Sequence, residues 1–88
     1  MNRADILTEA ARLTADDRQA VYGSPRDNHE RIAALWSTYL GFDVAPDQVA
    51  VCMALVKIAR LMQTPGHTDS FIDAAAYMAI AGELAGDT

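Results

Sequence analysis

The sequence is short of most features that signal a dedicated chemistry or an unusual environment. It has one cysteine, Cys52, so no disulfide framework can form within the chain, and a reducing compartment is the simplest reading. It has one lysine, Lys57, and six scattered arginines against a net charge of −5. No basic stripe is available to neutralise a phosphate backbone, which argues against DNA or RNA as a partner. No run approaches the roughly 18 apolar residues that a membrane span needs, and the opening Met1-Asn2-Arg3-Ala4-Asp5 lacks a signal-peptide core. These absences predict a cytoplasmic protein with no membrane association. A nucleophile elbow, a P-loop, a dinucleotide-binding glycine pattern and a cysteine–histidine zinc spacing are all missing. Lipidation motifs are missing too.

What the chain does have is alanine and helical spacing. About half of its 88 residues are apolar, yet only six are aromatic. Alanine packs helices closely without filling much volume, so helix-on-helix packing follows. A single domain spanning residues 1–88 is expected. A domain this small buries only about 60–65% of the surface that its unfolded chain exposes, which makes a homo-oligomer, dimer or tetramer, the expectation.

From Arg3 to Tyr22 the helical stripe is Ile6, Ala10, Leu13 and Val21, and the pair Thr14 and Asp17 leaves open one helix with a break or two short ones. The segment Tyr22-Gly23-Ser24-Pro25-Arg26-Asp27-Asn28 is rich in turn formers. Asp27 or Asn28 then caps a helix to about Leu40, with Ile32, Leu35, Trp36 and Tyr39 on one face, Trp36 and Tyr39 reading as core or subunit interface, and Gly41 as its left-handed stop. Pro46 suits the first turn of a further helix, which runs until Pro65-Gly66. Cys52 within it reads as a small buried hydrophobe. Thr68 caps the last helix, which is apolar from Phe71 to Ala81 except for Asp73 and Tyr77 and is therefore expected to be central. The fold class is all-α, a small antiparallel bundle of four helices, or five if the first segment divides.

The chemistry concentrates on the last two helices. Lys57 interrupts an apolar rod and must reach solvent, an acid or a ligand, and Arg60 three residues on shares its face. Asp69, Asp73 and Tyr77 recur every fourth residue as one polar stripe. Counting outward from the short connection places Arg60 level with Asp73 and Lys57 level with Tyr77. Two accounts fit. One is a structural network of interhelical salt bridges completed by the Tyr77 hydroxyl. The other is a phosphate or Mg²⁺-phosphate site, with Asp69 and Asp73 on the cation and Lys57 and Arg60 on phosphate oxygens. His67 stands in the turn before the acidic stripe, while Gly23 and Arg26 could receive phosphate in the Tyr22–Arg26 loop. A loop His67 is most simply exposed and structural, and the same reading applies to His29.

Taken together, Tyr22-Gly23-Ser24-Pro25-Arg26-Asp27-Asn28, Lys57-Ile58-Ala59-Arg60-Leu61 and His67-Thr68-Asp69-Ser70 through Asp73 to Ala76-Tyr77 resemble a family of small phage and prophage proteins. More distantly that family resembles the MazG-like all-helical nucleoside triphosphate pyrophosphohydrolases. The distant resemblance implies an oligomeric bundle that holds Mg²⁺ on acidic side chains and cleaves nucleotides between the α and β phosphates, in the host cytoplasm if phage-encoded. On that basis Asp69, Asp73 and Glu30 are the candidate metal ligands. Lys57, Arg60, Arg26, Tyr22, His67 and Tyr77 are the candidate phosphate or nucleotide contacts. Such enzymes carry acidic pairs on two successive helices, whereas this chain has Lys57 and Arg60 where acids would be wanted. The expectations are therefore three: a nucleotide pyrophosphohydrolase, a relative that binds a phosphorylated nucleotide without cleaving it, or a non-catalytic counter-defence protein that sequesters a nucleotide signal or blocks a host protein.

Overall fold

A computed structural model describes residues 1–15 and 23–86. Four helices occur among these residues, with no strand: α1 (Arg3–Leu13), α2 (Pro25–Leu40), α3 (Pro46–Gln63) and α4 (Thr68–Gly86). The all-α class expected from the sequence is therefore what the chain adopts.

Each boundary has a local cause. Asn2 caps α1 by accepting from the Asp5 N–H at 2.9 Å, and the Asp5 carboxylate accepts from the Asn2 N–H at 3.1 Å. The helix ends at Leu13 with Thr14 as its C-cap, and the choice between one broken helix and two short ones falls on residues outside the described ones. Asp17 and Val21 lie outside the described residues. For α2 the cap is neither Asp27 nor Asn28. Ser24 caps it, its hydroxyl accepting from the Asp27 N–H at 3.0 Å, because Pro25 fits the first helical position where a missing N–H costs nothing. Gly41, at φ 80°, ends α2 in the left-handed conformation as expected. The loop that follows is pinned by Ser37: the Val44 N–H donates to its hydroxyl oxygen at 2.8 Å, and its O–H donates to the Val44 carbonyl at 3.4 Å. Pro46 opens α3 as expected, with the Gln48 side chain accepting from the Ala45 N–H at 2.9 Å. Thr68 is the first residue of α4 rather than its cap, a one-residue difference of the usual size at helix ends.

Packing is carried by small residues. Val49, Ala50 and Ala54 of α3 are buried against α4, which buries Ser70, Ile72, Ala76, Ala81 and Leu84. Across the other side of α4, Ile72 and Ala76 form a cluster with Ala10 of α1, flanked by Ile6 and Leu13. The Ile6, Ala10 and Leu13 stripe thus faces inward as its spacing indicates. Helix α4 is central in that it touches both α1 and α3, but it is not fully enclosed, since Phe71 and Met78 are exposed.

The apolar face of α2 is resolved here, and the expectation for Cys52 is corrected. On α2 the inward side is His29, Ala33 and the half-buried Ile32, Trp36 and Ser37, while Leu35 and Tyr39 are 68% and 90% exposed. Apolar spacing alone cannot distinguish two adjacent apolar stripes, and the narrower one with alanine allows closer approach. Cys52 is exposed, because it stands two residues from buried Ala50 and so faces the opposite side of α3.

The rotation of α3 is testable by overpacking. Ala54→Leu should cost about 1–3 kcal/mol of unfolding free energy. Ala59→Leu, on the exposed side of the same helix, should change it by less than about 0.5 kcal/mol. Urea denaturation followed by circular dichroism measures both, and equal costs would show that α3 packs in another rotation.

Candidate functional site

The connection between α3 and α4 sets the site. With Pro65 midway between Lys57 and Asp73 in sequence, an antiparallel pair places these two residues at the same level. Their side chains meet, Lys57 Nζ lying 3.5 Å from Asp73 Oδ2. Lys57, and not Arg60, is thus the partner of Asp73, and the expected register is corrected by one turn of α3. Lys57 lies on the inward side with Ala50, Met53 and Ala54, one helical repeat from Ala50, whereas Arg60 is exposed.

The pair lies in a cleft of about 480 Å³, within the size range of small-ligand sites. Its floor comes from α4 through Asp73, Ala76, Tyr77 and Ile80, and its walls from Leu13 and Thr14 at the end of α1 and from the start of α2. At that last wall Gly23, with φ 82°, turns the chain so that Pro25, Asn28 and His29 face Lys57 across the cleft.

His29 is the polar group with the most constrained surroundings. It is 3% exposed, and its Nδ1 lies 2.7 Å from the Pro25 carbonyl oxygen. A carbonyl can only accept, so Nδ1 carries the proton, and in the neutral ring Nε2 is a bare lone pair. That Nε2 is buried and finds no hydrogen-bond partner among the described residues. An unsatisfied buried polar atom costs about 1–3 kcal/mol, so it marks a place where a partner is wanted. The Tyr77 ring and the imidazole make a T-shaped contact, with centroids 6.2 Å apart and planes at 65°.

Of the residues singled out from sequence, the cleft gathers Gly23, Lys57, Asp73 and Tyr77. The Tyr77 hydroxyl makes no hydrogen bond to the Lys57–Asp73 pair among the described residues, so the network expected there is a single ion pair. Asp69 is exposed in the first turn of α4 and does not line the cleft. Glu30 is exposed on α2 with Arg26 one turn back, their charged atoms 3.9 Å apart. Arg26 lines a separate shallow depression with Ser24, Glu83 and Leu84. His67 Nδ1 is 2.7 Å from the Ser70 hydroxyl, at the far end of α4. Tyr22 lies outside the described residues. Asp69, Asp73 and Glu30 do not converge, and the described residues contain no group of three or more His, Cys, Asp or Glu side chains that could hold a metal ion. This arrangement does not fit the Mg²⁺ site that the distant resemblance implies.

His29 and Asn28 are the cleft residues that the sequence reading passed over. The signal for His29 was its helical spacing with Ala33 and Trp36, which puts it on the buried side, together with its place one turn after Pro25, where the ring can reach a first-turn carbonyl. His29 was instead expected to be an exposed residue of structural value only, and it is buried.

The fold and cleft define a small all-α protein with a mixed-charge, ligand-sized site between its helices. It belongs to the family described as a domain of unknown function, DUF6378, whose model matches residues 5–85. The chain is similar to the Gene 55 protein of Mycobacterium phage L5, 43% identical over 76 residues, covering 85% of this chain and 49% of the relative. It is similar also to the Gene 55 protein of Mycobacterium phage D29, 47% identical over 72 residues, covering 82% of this chain and 48% of the relative. The family resemblance to small phage proteins is thus confirmed, and the chain spans about half the length of these curated relatives. No solved structure matches it significantly. None of the matched names states an activity, and none extends to the MazG-like enzymes. No helix among the described residues is long and apolar enough to cross a membrane.

The Lys57–Asp73 pair should behave as a partly buried couple. Lys57→Met and Asp73→Leu alone should each destabilise the protein by about 1–2 kcal/mol, because each leaves the other charge unpaired. The double variant should lose less than the sum of the two single losses, the difference being a coupling energy of about 1 kcal/mol in a denaturation cycle. Strictly additive losses would show that the two side chains do not interact in solution.

Proposed function

We propose that this protein binds a phosphorylated nucleotide in the cleft between α2, α3 and α4, as a phage-type nucleotide-handling protein. The observation that carries the reading is the position of Lys57. The chain's one lysine is turned into a ligand-sized cleft, and its ion pair, at 3.5 Å, is longer than the 2.7–2.9 Å typical of a charge-assisted hydrogen bond. An ammonium has three donors, so Lys57 can stay tethered to Asp73 and still donate to phosphate oxygens. Asp73, as an acceptor, suits sugar hydroxyls, and Tyr77 offers a ring face for a base. Nucleotide hydrolysis would need activated water, and the acids among the described residues form no cluster to supply it, so binding is the reading favoured over turnover.

Isothermal calorimetry with a panel of linear and cyclic nucleotides tests this, and Lys57→Met should weaken the best ligand at least tenfold. Absence of binding across the panel would sink the proposal. Incubating the same panel with Mg²⁺ and following product by chromatography separates a binder, which returns its ligand intact, from a pyrophosphohydrolase.

We also infer a homo-oligomer. Val51, Leu55, Ile58 and Met62 form one stripe along α3 at spacings of four, three and four, and they are 37%, 56%, 45% and 86% exposed. The radius of gyration, 13.6 Å, exceeds the roughly 12 Å of a tightly packed domain of this length, consistent with helices whose second faces are meant to be covered. A second copy presents the same stripe, and such a surface can pair with itself about a two-fold axis. Size-exclusion chromatography with light scattering should give a multiple of 9.5 kDa, reduced to one chain by Leu55→Glu with Ile58→Glu. A 9.5 kDa species for the unaltered protein would contradict it.

A further inference from the structure

We propose that His29 is the specificity-determining acceptor of the cleft, its Nε2 receiving an N–H or O–H from the bound ligand. The cleft then selects an anion that carries a hydrogen-bond donor beyond its phosphate over bare phosphate or pyrophosphate. This rests on the phosphorylated-ligand reading of Lys57 and extends it to the uncharged part of the ligand.

The argument begins with the ring. Nδ1 is committed to the Pro25 carbonyl at 2.7 Å, which fixes both the tautomer and the ring plane. The other ring nitrogen points to the opposite side of the imidazole, away from the backbone of its own helix. His29 is 3% exposed and lines the cleft, and its Nε2 has no partner among the described residues. The neighbours that could have satisfied it are otherwise arranged. The Tyr77 ring meets the imidazole in a T-shaped arrangement with centroids 6.2 Å apart and no hydrogen bond, and Lys57 is directed to Asp73. A buried lone pair that is oriented on one side and unmet on the other is a preformed acceptor. Ionised phosphate oxygens are acceptors and do not satisfy it, and an anion held against the Lys57 ammonium is favoured in its ionised form. A hydroxyl or an amino group does, and the sugar and base of a nucleotide carry both.

The test compares three ligand kinds on the full chain: nucleoside monophosphates, inorganic pyrophosphate and uncharged nucleosides. His29→Asn keeps a side-chain N–H close to the Nδ1 position for the Pro25 carbonyl and removes the Nε2 acceptor. His29→Gln places an amide oxygen near the Nε2 position. The unaltered protein should bind its preferred nucleoside monophosphate at least tenfold more tightly than pyrophosphate. His29→Asn should abolish that preference without changing pyrophosphate affinity, His29→Gln should restore part of it, and Lys57→Met should weaken both anions. In parallel, the Nε2 resonance of ¹⁵N-histidine-labelled protein should move on adding the preferred ligand. If the variants fail to fold, this resonance and the unaltered protein's preference decide the matter, and a resonance that stays still overturns the inference.

Equal binding of pyrophosphate and nucleotides, or a preference that survives His29→Asn, also overturns it while leaving the anion site standing; a water then satisfies Nε2. If no phosphorylated compound binds, the phosphate reading falls, and uncharged nucleosides judge His29 alone. A shift of its Nε2 resonance with a nucleoside supports the acceptor role, and no shift ends it.

Discussion

The close approach of α3 to α4 is the constraint on which the rest depends. These two helices pack on one another, and the residues they bury include the small Ala50 and Ala54 of α3 and Ser70 and Ala81 of α4. Close helices joined by a short connection have little freedom to slide, so the register is set by Pro65-Gly66 and held by the small residues. That register is what brings Lys57 to Asp73. It also sets α4 so that its other flank, through Ile72 and Ala76, receives Ala10 of α1. One interface therefore fixes both the core and the floor of the cleft.

Packing by alanine has a consequence for the rest of the surface. Alanine buries little apolar area, and each square ångström removed from water contributes only about 25 cal/mol. The larger apolar side chains that would usually make up the difference, Leu55, Ile58, Met62, Leu35 and Tyr39, are exposed. The chain thus divides its apolar residues between a tight interior of small ones and an outer set of large ones. Such a division makes sense when the outer set is covered by another surface, since a chain of 88 residues has little stability to spare.

How far the sequence exposed this structure differs from element to element. The four helices, the Gly41 stop, the Pro46 start and the inward stripe of α1 were legible, because each depends on residues within a few positions of one another. The Lys57–Asp73 contact was legible as a meeting of two stripes but not as a pair, since the level at which stripes meet depends on a turn's geometry. Which part of the apolar face of α2 is buried within the chain was not legible, because Leu35 and Tyr39 are as apolar as Ile32 and Trp36, and the tie is broken only by the neighbour. His29 was undervalued for a related reason: a histidine's meaning lies in what its two nitrogens touch. The scatter of Asp69, Asp73 and Glu30 is likewise a three-dimensional fact that one-turn spacing could not reveal.

The charges in the cleft narrow what it can hold. Lys57 and Asp73 are paired, so the described lining combines a donor-rich group, an acceptor and the unmet Nε2 of His29 with no surplus of lysine or arginine. A site built for a bare anion would carry surplus cations, as it must outbid water for a small, strongly hydrated ion. A balanced site instead favours a ligand that is itself mixed, with an anionic end for Lys57 and neutral donors for Asp73 and His29. Binding is then governed by hydrogen-bond matching more than by charge, and it should discriminate strongly against ligands that leave the His29 lone pair unmet.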